Sequence, residues 1–227
     1  MLYTEEMARM NIRNREGKRV FYLGSGDRLT PGARDYLSRE RIEVLPAELA
    51  KPQEYRLLNG AVLREKPEQM THLRGNVLVP KTDLRIRFRG AVDALEAELL
   101  LCQLSCEKWR KELGEILELA RILIRCDVME ESVPEGKLCG LTPREQRERS
   151  HRPQDYYAQA HFMPEYTDGP VVLHLNRCRT AARAAELAAA SAFTDTDGNC
   201  MRTDILKALN RMSSMIYILM IREKSGK

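Results

Sequence analysis

The sequence predicts a mainly α protein, an antiparallel five-helix bundle preceded by a small strand–helix–strand unit. Hydrophobic residues make up 43% of the chain and charged residues 31%, which is ordinary for a soluble globular protein. Aromatic residues are only 6%, whereas Ala, Leu, Glu and Arg are plentiful, and this composition favours helix over sheet. Long segments with apolar residues at the helical period, joined by short loops, indicate an antiparallel bundle.

The N-terminal residues 1–50 are predicted to form a strand, a helix and a second strand. Residues 18–23, KRVFYL, are typical of a strand. Thr30 is a good N-cap for a short helix, with Pro31 at its first position. Residues 41–45, RIEVL, alternate as a second strand does. Because so short a unit buries little core by itself, we expect it to dock on the main domain or on a partner.

Residues 51–82 are rich in Pro and Gly, which predicts a long loop containing one short hairpin at the Asn-Gly pair 59–60. A loop of this length beside a helical domain is often functional. Thr71, Lys81 and the backbone amides around Gly75 could hold phosphate groups. The chain contains no G-x-x-x-x-G-K-[ST] segment, so this candidate site is not a P-loop.

The main helical domain is predicted to occupy residues 83–227. Asp83 can cap its first helix, and Thr142 with Glu145 forms a capping box at the start of the third. A connection rich in His and Tyr, residues 151–170, precedes the fourth helix. The five predicted helices span residues 83–106, 107–131, 142–150, 171–193 and 202–223.

Polar residues at helical spacing mark candidate binding residues. Arg179, Arg183 and Glu186 share one face of the fourth helix, and Asn210 begins a similar set on the fifth. Asp93 is predicted to lie inside the apolar stripe of the first long helix, where a carboxylate needs a cationic partner such as an Arg on a facing helix. Spacing alone leaves open the alternative that these residues form a solvated charged surface.

The cysteines and the distribution of charge limit the classes of function that remain. The six cysteines form no Cys-x-x-Cys pair, which favours reduced thiols in the cytosol. Cys102 and Cys106 lie one helical turn apart and could touch one metal ion, but no further ligand stands nearby at metal-site spacing. The charged N-terminus predicts no signal peptide, and no segment approaches a membrane helix. Arg clusters interleaved with Ala, Ile and Cys do not suit nucleic acid.

Three motifs follow one another along the chain: THLRGNVLVPKTDLRIRFRGAVDALEAEL around the start of the first long helix, NRCRTAARAAELAA in the fourth and DILKALNRMSSMIYILM in the fifth. In this order they resemble the ATP:cob(I)alamin adenosyltransferases. The segments SGDRLTPGARDYLSRERIEV, LCGLTPREQRERSHRPQDYY and HFMPEYTDG are similar to the ethanolamine-utilisation branch, which is related to the propanediol-type enzymes. The resemblance covers most of residues 20–222.

The resemblance implies a transfer of the 5′-deoxyadenosyl group of ATP to the cobalt of reduced cobalamin. The reaction releases triphosphate and forms adenosylcobalamin for ethanolamine breakdown. Mg²⁺ would accompany ATP, a flavoprotein could donate electrons, and a homo-oligomer, trimer or dimer, would bind ATP between subunits. The enzyme is expected in the cytoplasm, or within a bacterial microcompartment. The alternative is a non-catalytic helical scaffold or corrinoid carrier, which would keep the bundle and lose the phosphate-binding residues.

The resemblance also implies which residues hold the phosphates. Thr71 and Lys81 would bind them, and His72 would be a loop or phosphate contact. Arg183 would bind the triphosphate, with Glu186 nearby. The Thr-Gly-Asp-x-Gly phosphate motif of the propanediol-type enzymes is missing from this chain.

Three further roles follow from the same resemblance. Asp93 would pair with Arg179 across a subunit contact, and these two residues with Arg183 are the predicted catalytic set. Asn210 would help to position the nucleotide. Some ethanolamine-branch members carry a His-and-Cys metal insert, but no Cys precedes Cys102 here, so no metal site is predicted.

One residue is expected to displace the lower axial ligand of cobalt, as a bulky apolar residue before a Pro does in the related enzymes. Phe162, which precedes Met163-Pro164, is the candidate favoured by hydrophobicity. His161 is the other candidate because it lies closer to the family's spacing. A third interpretation is that Phe162 is an ordinary core residue.

Overall fold

The computed structural model of the chain describes residues 1–15, 17–49 and 54–226. Within these ranges the chain forms eight α-helices and nine β-strands, and the predicted mainly α class is confirmed. Two compact units are present, Met1–Tyr55 with Val62–Glu65 and Arg56–Ala61 with Lys66–Lys227. The predicted boundary between residues 50 and 51 lies outside the described residues.

The first unit contains the predicted strand–helix–strand arrangement. Its elements are β1 (Leu2–Tyr3), α1 (Glu5–Met10), β2 (Ile12–Arg15), β3 (Lys18–Leu23), β4 (Arg28–Leu29), α2 (Pro31–Arg39) and β5 (Glu43–Pro46). Strands β3 and β5 pair in parallel, with Val20 opposite Glu43, and α2 connects them. As predicted, Thr30 caps α2, because its hydroxyl accepts a hydrogen bond from the backbone N–H of Ala33 at 3.3 Å.

A small core holds the first unit together. Phe21, Ala33 and Leu37 are buried in it, and the ring of Tyr3 meets Phe21 edge-on with the two centroids 5.2 Å apart. The sequence interpretation missed α1, although Thr4 caps it and acidic residues occupy its first turn.

The predicted long loop of residues 51–82 contains four strands instead, and this part of the prediction is wrong. They are β6 (Tyr55–Leu57), β7 (Val62–Leu63), β8 (Met70–Arg74) and β9 (Val77–Pro80). The Asn-Gly turn at 59–60 is present, since Leu57 donates its backbone N–H to Ala61 at 2.8 Å. The missed pair is β8 and β9, an antiparallel hairpin that turns at Gly75, which has a φ of +48°.

Helices make up most of the second unit. They are α3 (Leu84–Ser105), α4 (Arg110–Met129), α5 (Pro143–His151), α6 (Pro153–Tyr157), α7 (Gly169–Phe193) and α8 (Thr203–Lys224). Helix α7 packs against α3 and α8, α4 packs against α3, and α5 packs against α8. The core between them is apolar and closed to solvent. Its fully buried side chains include those of Val92, Leu95, Leu99, Leu175 and Ile216.

Capping residues set the helix starts that the sequence predicts. The Asp83 carboxylate accepts a hydrogen bond from the backbone N–H of Arg85 at 2.9 Å. Thr142 and Glu145 form the predicted capping box, with bonds of 2.8 Å and 3.3 Å in the two directions. The connection after α5, predicted to be irregular, includes the short helix α6.

Candidate functional site

A polar groove of about 200 Å³ lies where α7 and α8 approach the end of α5. Helix α7 contributes Arg179 and Arg183, which lie one turn apart and therefore on the same face. Helix α8 contributes Ser213, Ser214 and Tyr217. The hydroxyls of Ser213 and Ser214 donate to the backbone carbonyl of Asn210, each at 3.0 Å. The two guanidinium groups are therefore the part of the groove whose chemistry binds phosphate oxygens.

Arg179 is the more buried of the two arginines. Its Nε and Nη2 both donate to Oδ1 of Asn176, at 3.1 and 2.9 Å, and its guanidinium carbon lies 6.0 Å from the centre of the Tyr217 ring. Burial, and then the neighbouring charge of Arg183, lower the pKa of Arg179, while Tyr217 acts in the opposite direction. Two like charges side by side favour an anion between them.

No carboxylate of the described residues forms an ion pair with Arg179 or Arg183. Most other partly buried arginines of the second unit do have carboxylate partners, such as Arg202 with Asp204 at 2.9 Å. Arg183 is exposed, so its guanidinium is free to meet a ligand entering from solvent. The groove therefore holds uncompensated positive charge.

Asn210 and Glu186 join α8 to α7 beside the groove. Nδ2 of Asn210 donates to Oε1 of Glu186 at 2.9 Å, and Oδ1 of Asn210 accepts from Nη2 of Arg211. Arg211 is a residue that the sequence interpretation missed, although it directly follows Asn210 in the fifth-helix motif. Burial, and then the charge of Arg147, lower the pKa of Arg211, whereas Glu186 raises it.

His161 and Phe162 both contact Tyr217. The His161 ring stacks on Tyr217 with centroids 5.7 Å apart, and its Nδ1 lies 3.1 Å from the tyrosine hydroxyl. The Phe162 ring lies 6.2 Å from the same ring, and its backbone N–H donates to the hydroxyl at 3.4 Å. His161 lines the groove, whereas Phe162 packs against the helical core.

The predicted phosphate residues Thr71, His72 and Lys81 lie elsewhere in the chain. Thr71 and His72 are on β8, and the Lys81 ammonium binds the carboxylate of Glu68 at 2.9 Å. That pair is exposed, and it lowers the pKa of Glu68 through the hydrogen bond from Lys81. An exposed pair of this kind contributes little stability, so a phosphate group could replace Glu68.

Within a single chain Lys81 lies apart from the groove, so its convergence with the α7 arginines across a subunit contact stays a prediction. The start of α3 packs at the end of α7, since the rings of Phe88 and Phe193 are 5.4 Å apart. Arg183 lies ten residues before Phe193, which is about 15 Å along the helix. The segment that carries Lys81 precedes α3 and therefore lies at the far end of α7.

Asp93 is exposed on α3, and its predicted place inside the apolar stripe is wrong. The residue follows the buried Val92, and one position along a helix turns a side chain by about 100°. No ion pair with Arg179 forms within the described chain. Pairing across a subunit contact stays a prediction.

A buried ion cluster, which the sequence interpretation missed, lies beside the β8–β9 hairpin. Asp127 on α4 has no exposed side-chain surface, and its carboxylate binds Arg85 at 2.8 Å and Arg89 at 2.7 Å. The Arg-rich start of α3 was visible in the sequence. Its carboxylate partner, Asp127, could not be recognised from the sequence, because it lies about forty residues away among apolar residues of α4.

A second cavity of about 780 Å³ lies between α4, the segment after it, α5 and α8. Its walls are mainly apolar, and among the predicted site residues none lines it. Arg211 lines this cavity and also donates to the side chain of Asn210. The backbone carbonyl of Asn210 in turn accepts from Ser213 and Ser214, which line the groove.

Within the described ranges, three or more His, Cys, Asp or Glu side chains do not gather anywhere as they would around a metal ion. Cys102 is instead buried in the helical core, and the nearby Cys178 thiol donates to the backbone carbonyl of Glu98 at 3.3 Å. None of the described helices combines the length and the apolar character that crossing a membrane requires.

Comparison with known proteins gives consistent matches along most of the chain. The family model of the cobalamin adenosyltransferases matches residues 61–223. The corrinoid adenosyltransferase EutT of Salmonella typhimurium is 31% identical, with 96% of this chain and 90% of that protein aligned. The EutT of Escherichia coli strain K12 is 29% identical over the same shares.

Two solved structures match part of the chain. Both are variants of a PduO-type ATP:corrinoid adenosyltransferase from Lactobacillus reuteri complexed with cobalamin and ATP. One has a TM-score of 0.49 and 16% identity, covering 74% of this chain and 84% of that chain. The other has a TM-score of 0.48 and 15% identity, covering 74% and 87%.

Proposed function

The chain belongs to the cobalamin adenosyltransferase family and is an ATP:corrinoid adenosyltransferase, and we propose that ATP reacts in the groove between α7 and α8. In this reaction the cobalt of reduced cobalamin attacks the 5′ carbon of the ATP ribose with its electron pair. The carbon–oxygen bond breaks, triphosphate leaves, and the cobalt–carbon bond of adenosylcobalamin forms. The observation that carries the assignment is the pair of arginines, Arg179 and Arg183, that have no carboxylate partner among the described residues.

The two arginines act on the leaving group. As the carbon–oxygen bond breaks, negative charge accumulates on the triphosphate. Guanidinium groups that are already fixed in place stabilise that charge without reorganisation. Arg179 is held by Asn176 and Tyr217, so it is the preorganised member, and the exposed Arg183 completes the contact when ATP binds. Asn210, anchored to Glu186, positions the nucleotide.

A neighbouring copy of the chain supplies the remaining phosphate contacts. Thr71, His72 and Lys81 are remote from the groove of their own chain, so they serve the groove of another. The outer surfaces of α3 and α7 support such an assembly, since Leu104 is 81% exposed and Leu187 is 70% exposed. Large apolar side chains left in solvent are typical of a protein interface.

Asp93 lies on this exposed surface of α3, where it would reach Arg179 of the other copy. The assembly is a trimer or a dimer of antiparallel five-helix bundles built from α3, α4, α5, α7 and α8. In terms of domains, residues 1–50 form the N-terminal unit, 51–82 carry the phosphate contacts and 83–227 form the bundle.

The corrin approaches the groove from the side of His161, Phe162 and Tyr217. These stacked rings form an apolar wall against which the lower axial ligand of cobalt is displaced, and Phe162 is our first choice for that role.

Mg²⁺ is bound through the phosphates of ATP, because the described residues offer no preformed cluster of ligands. The electron donor is a flavoprotein, and the product serves ethanolamine breakdown in the cytoplasm or a microcompartment.

The competing proposal is a helical scaffold or corrinoid carrier without activity. Such a protein has no use for two arginines that face a groove without a carboxylate partner among the described residues. The geometry of Arg179, Arg183 and Asn210 therefore favours the enzyme.

The deciding experiment supplies the purified chain with chemically reduced cobalamin, ATP and Mg²⁺. The expected result is a light-sensitive cobalt–carbon product and one triphosphate released for each adenosyl group transferred. Arg179→Met is the matched variant that should abolish turnover while the helical circular dichroism is unchanged. Binding of cobalamin without any product, under full reduction, would support the carrier instead.

A further inference from the structure

Asp127 is the most completely buried charged residue of the second unit among those described, with 0% of its surface exposed. A buried carboxylate is costly unless each of its oxygens is bound. Here Oδ1 accepts hydrogen bonds from Nε and Nη2 of Arg85, and Oδ2 accepts one from Nε of Arg89. The carboxylate therefore fixes the planes of two guanidinium groups on α3.

The two arginines use their remaining donors differently. Nη2 of Arg85 turns back to the carbonyl of Asp127, at 2.9 Å. Nη2 of Arg89 instead reaches the carbonyl of Leu73 on β8 at 2.8 Å, and its Nη1 lies 3.5 Å from the carbonyl of His72. Arg89 thus joins the buried carboxylate to the strand that carries Thr71.

The part of β8 that Arg89 binds is irregular. The register with β9 shifts between His72 and Arg74, so the ladder of backbone bonds is interrupted there. The Arg89 guanidinium, which is only 15% exposed, donates to two carbonyls of this stretch.

We propose that Arg89, oriented by Asp127, is a positioning residue that holds β8 so that Thr71 meets the phosphates of ATP. This inference rests on the proposed function, in which Thr71 and Lys81 of the hairpin bind phosphate groups. Arg89 itself does not touch the nucleotide. It acts through the carbonyls of His72 and Leu73, one and two residues beyond Thr71.

Arg85 provides a matched control for this role. It binds the same carboxylate from the same helix, and it makes no hydrogen bond to β8 within the described part of the chain. Substitution of either arginine by Lys keeps a positive charge beside Asp127 and loses the planar, forked geometry. Only the Arg89 substitution also removes hydrogen bonds to β8.

The test compares steady-state kinetics of the full-length Arg89→Lys, Arg89→Gln and Arg85→Lys variants, with urea unfolding measured in parallel. Arg89→Lys is expected to raise KM for ATP about tenfold, with kcat and KM for cobalamin within about twofold of wild type. Arg85→Lys is expected to lower stability to a similar degree and leave KM for ATP unchanged. Amide hydrogen exchange in residues 70–74 should accelerate in Arg89→Lys alone. If Arg89→Lys unfolds, the uncharged Arg89→Gln is compared with Arg85→Lys in its place.

Two results would overturn the inference: an unchanged KM for ATP in both Arg89 variants, or an equal increase in Arg85→Lys, which would mark a purely structural cluster. Thr71→Ala and Lys81→Ala separate this failure from that of the proposed function. If both raise KM for ATP and the Arg89 variants do not, only the positioning role is wrong. If neither has any effect, the phosphate assignment of the hairpin is wrong, and this inference fails with it.

Discussion

Asn210 donates a hydrogen bond of 2.9 Å from Nδ2 to Oε1 of Glu186, and this contact links the motif of α8 to the motif of α7. The opposite end of the same amide accepts from Arg211. An amide side chain can satisfy a carboxylate and a guanidinium at once, since it carries both a donor and an acceptor. The two motifs are therefore connected through a residue that uses both its donor and its acceptor.

Asn210→Ala should impair both stability and turnover. The change leaves Glu186 and Arg211 partly buried without their shared partner, which we expect to lower the free energy of unfolding by about 1–3 kcal/mol. We expect kcat/KM for ATP to fall roughly tenfold, because α8 no longer fixes Glu186. Urea unfolding and adenosylcobalamin formation measure the two effects. Lys207→Ala, an exposed change one turn earlier on α8, serves as the control, and an equal effect there would show that the helix responds without regard to position.

Arg183→Ala should weaken ATP binding and leave the fold intact. Arg183 is exposed and has no carboxylate partner in the described ranges, so its removal costs little stability. Loss of a charge-assisted contact to the triphosphate is expected to raise Kd for ATP by about 10- to 100-fold. Calorimetric titration with ATP measures it.

The control for Arg183→Ala is Arg177→Ala on the same helix. Arg177 is also exposed, but it pairs with Glu98 at 2.5 Å and lies outside the groove. Its loss should leave ATP affinity unchanged. Equal weakening by the two variants would point to a general effect of positive charge and remove Arg183 from the site.

Asp93 should matter for assembly and not for the stability of the single chain. Because Asp93 is exposed in its own chain, Asp93→Arg is expected to leave the helical signal unchanged while weakening self-association about tenfold or more. Sedimentation velocity over a range of concentrations measures this. Combining Asp93→Arg with Arg179→Asp should restore assembly if the two residues meet between copies. A double variant that associates no better than the single ones contradicts the pairing.

Local signals in the sequence predict the elements of this fold well. The Asp83 cap and the Thr142–Glu145 capping box involve residues two or three positions apart, so the sequence determines them directly. The hairpin of β8 and β9 was missed because the density of Gly and Pro around it favours a loop. Its strands are stabilised by pairing with each other and with β6, which is not a local property.

The site was predictable in part. Arg179 and Arg183 lie four residues apart on one helix, and the groove contains both, as helical periodicity requires. Asp127 was not predictable, because its two partners are 42 and 38 residues away and only packing brings them together. The burial of Asp93 was wrongly predicted because a shift of one residue decides which side of a helix a side chain occupies.

Asp204→Asn should reveal a pH-dependent contribution to stability. Burial raises the pKa of Asp204, but hydrogen bonds from Arg202 and from the backbone of Val133 and Ile205 outweigh burial and hold the pKa at about 2. A carboxyl whose pKa is lowered by folding stabilises the native state above its unfolded pKa, and the effect is lost as the pH falls through the folded value.

Asp204→Asn is expected to lower the free energy of unfolding by about 2 kcal/mol at neutral pH. This difference from wild type should shrink as the pH falls from about 4 towards 2. Urea unfolding of the variant and of wild type across that range measures the difference. Asp197→Asn, which removes an exposed carboxyl in the loop before α8, serves as the matched control. A difference that stays constant with pH would mean that Asp204 acts through packing and not through its charge.

Phe162 and His161 can be separated by the coordination of cobalt. Both contact Tyr217, but Phe162 presents an apolar ring beside the groove, whereas a His could itself ligate the metal and hinder its reduction. We therefore expect Phe162→Ala to leave more of the bound cob(II)alamin with its lower axial ligand in place, as seen by electron paramagnetic resonance with ATP present. Its turnover should fall about tenfold or more with a weak reductant and recover with a strong one. Tyr166→Ala, in the same connection and 88% exposed, should match wild type. The assignment passes to His161 if His161→Ala retains the ligand and Phe162→Ala does not.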